Sequence, residues 1–181
     1  TKGDKRSIAK ALAIYSGFTE GLQLFSSFII LLNFPRFGKM KGMGQIITYS
    51  IRDESLHVEA MTKLFREFIQ ENIDIWTDDF KGEIYQACRE MVALEDRFLD
   101  LVFEQGDIVG LTKKEMQQYI RYIADRRLLQ LGLKPNYKVK DNPLNWLDDV
   151  LGVEHQNFFE GRATTYMKAG LRGNVEKVKF A

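Results

Sequence analysis

The chain is poor in the residues that fix a structure covalently or pull it toward a charged partner. It has one cysteine, Cys88, so no internal disulfide can form and no second thiolate is available for a metal. A lone thiol fits a reducing cytosol, and Cys88 reads as core filling. Only three prolines occur, Pro35, Pro135 and Pro143, and long stretches lack any turn signal. That argues against a sheet protein and for an all-α chain. Neither sign of charge dominates: 26 Lys and Arg against 25 Asp and Glu leave a net +1. Nothing global therefore draws the protein to nucleic acid or an acidic surface. Internal repeats and low-complexity tracts are missing as well. No signal-like or transit-like pattern precedes the first apolar run and the first residue is Thr1. The expectation is a cytoplasmic chain that is a fragment, a processed product or one half of a split protein.

What is present is apolar mass. Across 181 residues, 45% are hydrophobic and 12% aromatic, enough for one sizeable core and one domain. Residues 11–32 carry a single charge, Glu20, so their length alone would allow a membrane span. Tyr15, Ser16, Thr19, Gln23, Ser26 and Ser27 interleave with the apolar residues, and a lone carboxylate at mid-segment is costly in lipid. A helix buried in a water-soluble bundle explains the run better, with no membrane involved.

The pattern predicts helices over about 4–32, 39–71 and 77–104, and a fourth from the cap candidate Thr112 to near Gly132. Residues 33–38, with Pro35 and Gly38 as breakers, form the first turn. Asp78 and Asp79 favour the third helix's start, and Thr112 with Glu115 has the spacing of a capping box. Residues 142–147, Asn-Pro-Leu-Asn-Trp-Leu, look like an apolar clasp onto the bundle, whereas the remainder has no strong period. The expected division is a bundle over 1–151 and a partner-binding tail over 152–181.

One constellation carries chemistry. Residues 52–57 read Arg-Asp-Glu-Ser-Leu-His, so Glu54 and His57 stand at i and i+3 and project from one helical face. Glu-x-x-His alone is weak, since it usually means a solvated carboxylate beside a hydrogen-bonded histidine. Register strengthens it: Glu20 and Glu54 each lie 17 positions from Phe37 (37−20 and 54−37). In an antiparallel hairpin both reach a height of roughly 25 Å above the loop at about 1.5 Å per residue. The bland alternative for Glu20 is a salt bridge, for instance with Arg52. Two carboxylates and an imidazole inside a bundle require protonation or a cation, and a pair of dications is the economical answer. Carboxylate with imidazole suits iron first, with manganese or a mixed pair as alternatives. Ferritin-like dimetal bundles use a Glu from each of two helices and a Glu-x-x-His from each of the other two. This chain offers one such set. His155, in Glu-His-Gln, has neither the spacing nor the context for another. Trp76 and Trp146 read as packing anchors, and Gly42 and Gly44 are too weak a signal for phosphate binding.

These residues resemble a known family. Residues 16–28 (Ser-Gly-Phe-Thr-Glu-Gly-Leu-Gln-Leu-Phe-Ser-Ser-Phe) and 52–57, with 34 positions from Glu20 to Glu54, are similar to class I ribonucleotide reductase small subunits. Residues 122–133, 142–146 and 154–160, with Arg162, Ala163, Thr164 and Tyr166, resemble the C-terminal half of that family in the same order. The resemblance implies an all-α, ferritin-like bundle half with Glu20, Glu54 and His57 as ligands, mainly of one metal of a dinuclear centre. It implies that Asp53 links a ligand histidine to a radical-transfer route, with Arg52 as its charged neighbour. Leu24 and Phe28 would lie beside the radical pocket. Tyr166 would be a redox tyrosine of the tail, Glu160 part of the same relay, and residues 175–181 would dock on the large catalytic subunit. The family's first carboxylate ligand, its other Glu-x-x-His and its radical tyrosine find no counterpart, and Met61 stands four residues after His57 where no tyrosine occurs. The implied partners are the N-terminal half of the small subunit, the large subunit and a second copy of the completed subunit. The implied function is radical generation for ribonucleotide reduction. The alternatives are another ferritin-like oxidase or oxygenase, or a metal-free structural half-subunit.

Overall fold

In the computed structural model residues 4–148 are described. Helix α1 (Lys5–Ala13), a π-helical segment (Ile14–Gln23) and α2 (Leu24–Arg36) run end to end as one helix. Helix α3 (Lys41–Glu71) returns along all three, and a 3₁₀ turn (Ile73–Ile75) leads into α4 (Asp78–Val102) and then α5 (Lys113–Gln130). Among the described residues the one β feature is an isolated bridge between Ile108 and Leu111.

The predicted first turn begins too early. The helix continues through Pro35 to Arg36, because a proline in the last turn forfeits a single N–H while its neighbours still bond back. The amides of Phe37 and Lys39 donate to the Phe34 carbonyl, and that of Gly38 to Pro35. The stop is Gly38, whose φ of +74° places it in the left-handed region that glycine enters without a Cβ penalty. Beyond the turn α3 passes so close that a Cβ on Gly44 would collide with the Pro35 ring.

Helix α3 buries Gly44, Thr48, Ile51, Val58, Thr62, Phe65 and Ile69 in steps of three, four and seven, a stripe laid against the first long helix. That helix is the core of the molecule. Ala9, Ala13, Phe18, Leu22, Ile29 and Leu32 are at most 1% exposed, and α3, α4 and α5 surround the π segment. Each large apolar side chain so buried contributes about 1.5–3 kcal/mol. Lys5–Arg36 is long and apolar enough to cross a membrane by length and composition, yet packing on the other helices accounts for its apolar character.

Helix α4 starts at Thr77, whose hydroxyl accepts from the Phe80 amide. It buries Phe80, Ile84, Cys88, Val92, Glu95 and Leu99. Trp76 is a packing anchor between Phe65 and Phe80, edge-on to both at ring distances of 5.9 and 6.2 Å. Cys88 is fully buried, and burial pushes its thiol up to about 12. Helix α5 opens with the predicted capping box: the Glu115 amide donates to the Thr112 hydroxyl, while the Thr112 amide donates to the Glu115 carboxylate. Arg121 grips Asp96 with two parallel bonds of 3.0 and 2.7 Å, joining α5 to α4.

After α5 the chain is held by side chains. Asp125, 3% exposed, accepts the backbone amides of Asn136, Tyr137 and Val139 at 2.7–2.9 Å. The Tyr85 hydroxyl accepts the Lys134 amide and donates to the same residue's carbonyl. Leu144 and Leu147 are then buried, and Trp146 lies under the Arg36 guanidinium at 4.8 Å, so the apolar clasp expected from the sequence is present.

Candidate metal centre

Glu20 comes from the π segment and Glu54 and His57 from α3, the two strands of one helical hairpin. One ligand atom from each lies within 4.8 Å of the other two. The equal distance of Glu20 and Glu54 from the turn brings the carboxylates together, and the i, i+3 step adds the imidazole. His57 Nδ1 is 3.6 Å from Glu54 Oε2, too long for a hydrogen bond. Glu54 Oε2 is shut off from solvent and has no hydrogen-bond partner. An acceptor stranded in this way costs about 1–3 kcal/mol, which a cation at the same point would offset. Two carboxylate oxygens and an imidazole nitrogen are the donors that iron and manganese take, so the residues present fit such an ion.

The cluster is walled on one side and open on the other. Glu20 and Glu54 are half-buried, whereas the His57 side chain is 64% exposed. Beyond His57, on the face of α3 turned away from the first long helix, Ile46, Tyr49, Leu56 and Leu64 are 64%, 42%, 65% and 50% exposed. At about 3.6 residues per turn these four fall within about 80° of one another. These four form an uncovered apolar face on α3. The first long helix also leaves Ile8, Tyr15 and Leu24 exposed.

The other predicted positions are more dispersed. Asp53 is exposed, does not join the cluster, and stands 3.9 Å from Arg52 Nε. Leu24 is exposed, and Phe28 packs edge-on against Phe25 at 6.1 Å. Tyr166, Glu160, His155 and residues 175–181 lie outside the described residues.

Sequence reasoning missed two features. The first is the π segment that carries Glu20; π turns are rare and cluster at functional sites. The second is Arg127, 8% exposed, whose Nε donates to the Gly21 carbonyl at 2.7 Å and whose guanidinium lies over Phe25 at 5.1 Å. A signal existed: Arg127 follows Met116, Ile120 and Ile123 on the apolar stripe of α5, where a cation needs a reason.

Fold and side chains together define a class, a ferritin-like helical bundle with a carboxylate and histidine cluster between antiparallel helices. Comparison with known proteins narrows this. The chain belongs to the family "Ribonucleotide reductase, small chain", whose model matches residues 1–143. It is 47% identical to a ribonucleoside-diphosphate reductase small subunit of Invertebrate iridescent virus 3, over 92% of this chain and 45% of that protein. It is 36% identical to the ribonucleoside-diphosphate reductase subunit beta of Chlamydia pneumoniae, over 89% of this chain and 46% of that one. Among solved structures it resembles a class I ribonucleotide reductase from Bacillus halodurans, with a TM-score of 0.77 and 29% identity, covering 82% of this chain and 53% of the other. It also resembles the R2 subunit from Clostridium botulinum, with a TM-score of 0.74 and 30% identity over 78% and 44% of the two chains. The chain spans about half the length of the curated relatives it matches.

Proposed function

We propose that this chain supplies one wall of the dimetal centre of a ribonucleotide reductase small subunit, the component that generates a radical for a separate large subunit. The observation that carries the reading is the convergence of Glu20, Glu54 and His57 around the stranded Glu54 oxygen. In this reading Glu20 and Glu54 supply anionic oxygens and His57 a neutral imidazole nitrogen to one ion of the pair. Iron is the first choice, with manganese or a mixed pair as alternatives. The bound pair supplies the oxidising equivalent that amino-acid side chains cannot. The protein's own contribution is to hold these donors at one height and to exclude water from the Glu54 side.

The remaining donors come from the N-terminal half of the fold, whether it is joined to this chain or separate. The exposed apolar face of α3, continuous with His57, is the surface that half covers. Patches of this kind beyond a few hundred Å² are uncommon on monomers. Asp53, one residue before Glu54 and exposed, accepts from a ligand histidine of that half in this reading, and the tail with Tyr166 passes the oxidising equivalent to the large subunit. The completed subunit pairs with a second copy in the cytoplasm.

Metal content measured on the assembled subunit tests the reading directly. His57→Ala should lose at least one ion while the far-ultraviolet circular dichroism keeps its helical signal. Unchanged metal content in that variant, or nucleotide reduction that needs no large subunit, would refute it.

A further inference from the structure

Ten residues of π-helix in the middle of a buried helix need a cause. Within Ile14–Gln23 no proline occurs, and the apolar residues would equally suit an α-helix. Hydrogen bonding from i to i+5 absorbs extra residues relative to the α-helix, so a return to α-helical bonding would rotate one end against the other by about 100° per residue released. Glu20 lies inside this stretch. Any such rotation carries its carboxylate away from Glu54 and His57.

Contacts from outside the helix meet the π segment in its last turn and at its exit. In the last turn, Arg127 of α5 donates from Nε to the carbonyl of Gly21, the residue next to Glu20. Its Nη1 donates to Gln130 at 2.9 Å, and the guanidinium covers Phe25. Among the described residues no carboxylate pairs with it, so its strongest buried acceptor is a backbone carbonyl of the π segment. Burial lowers its guanidinium to about 10, which still leaves it cationic at neutral pH. Gly21 is fitted to this contact: a Cβ there would lie 2.7 Å from Arg127 Nε and 2.7 Å from the Ser16 carbonyl. At the exit, the Ser26 hydroxyl reaches both the Gln23 carbonyl and the Glu95 carboxylate of α4.

We infer that Arg127 is a positioning residue for the metal centre, holding Gly21 and the π register so that Glu20 faces Glu54 and His57. It touches none of the three donors. Its effect passes through the backbone of the residue beside Glu20. The inference rests on the metal-centre reading above, and its test separates the two.

Manganese(II) alone is titrated into the assembled subunit, with free ion read by electron paramagnetic resonance and backbone amide exchange followed over residues 14–26. Removal of a supporting outer group typically weakens a metal site about 10–100-fold. Arg127→Met, which keeps the stem and removes the donors, should weaken manganese binding by about tenfold and speed exchange within residues 14–26. Exchange in the far half of α4 should stay as it was. Arg127→Lys should recover part of the affinity, and Gly21→Ala, whose Cβ would crowd both Arg127 Nε and the Ser16 carbonyl, should weaken binding at least as much as Arg127→Met. Glu20→Ala and Glu54→Ala serve as reference. If they leave manganese binding intact, the metal-centre reading is wrong. If they abolish it while Arg127→Met and Gly21→Ala bind as tightly as wild type, the positioning role is overturned. Should Arg127→Met fail to fold, Arg127→Lys and Gly21→Ala decide the question, and wild-type affinity in both overturns it.

Discussion

Glu54 should destabilise the metal-free protein and stabilise the metal-loaded one, and replacing it by methionine exposes both effects. Methionine keeps an unbranched side chain of similar length and good helix propensity while deleting both oxygens. Glu54 Oε2 is inaccessible and unpaired, whereas the side chain as a whole is 25% exposed. The penalty therefore belongs near the lower end of the range for a stranded acceptor, about 1 kcal/mol. For a domain of this size that corresponds to a rise in Tm of about 2–4 °C for Glu54→Met without metal. With free manganese(II) at about 100 times its dissociation constant, the wild type gains about 2.7 kcal/mol and the variant, lacking one of the three donors, gains little. The order of the two melting temperatures should then reverse, the wild type ending above the variant by about 2 kcal/mol. Thermal denaturation by circular dichroism, with chelator and with manganese, reads both halves. A wild type already more stable than Glu54→Met in chelator, or equal gains on adding metal, would show that the stranded oxygen is not a ligand in waiting.

Two further outcomes follow from groups away from the cluster. Burial raises the Glu95 carboxyl above its ordinary value, Ser26 opposing with its hydrogen bond and Asp96 adding to the rise. The folded protein therefore holds this proton more tightly than the unfolded chain does. Glu95's favourable contribution is complete below the ordinary value of 4.5 and is lost as pH rises through the raised folded value. Glu95→Gln should raise stability at neutral pH and flatten that part of the urea-denaturation profile; an unchanged slope would contradict it. Asp125→Ala strips three amides of their acceptor, which at 1.5–3 kcal/mol per charged bond, reduced for donors that water can reach, amounts to about 3 kcal/mol. Residues 136–139 should lose their exchange protection first, and protection retained there would count against the clamp.

Most of the hairpin was legible because helix ends and registers are written in local chemistry. Thr112 with Glu115 marks a start, Gly38 marks a stop, and the equal separation of Glu20 and Glu54 from Phe37 sets their heights. Pro35 misled because its penalty depends on where it falls in the last turn, a position that packing against Gly44 decides. The π segment was illegible for a different reason. In residues 11–32 the polar positions Tyr15, Thr19, Gln23 and Ser27 recur every four, a spacing that suits an ordinary α-helix and gives no sign of bonding from i to i+5. Arg127's target was hidden too, since 106 positions separate it from Gly21 and only the tertiary fold brings them together.

Cys88, set in the middle of α4 among core residues, equips the protein with an internal clock for its own opening. The thiolate is the reactive form, and a thiol held at about 12 is almost wholly protonated at neutral pH as well as unreachable. An alkylating reagent can therefore react only during excursions in which α4 separates from its neighbours. Since no other cysteine competes within these 181 residues, the mass gained by this segment counts those excursions one molecule at a time. The assembly of the bundle can be timed in this way without adding a label.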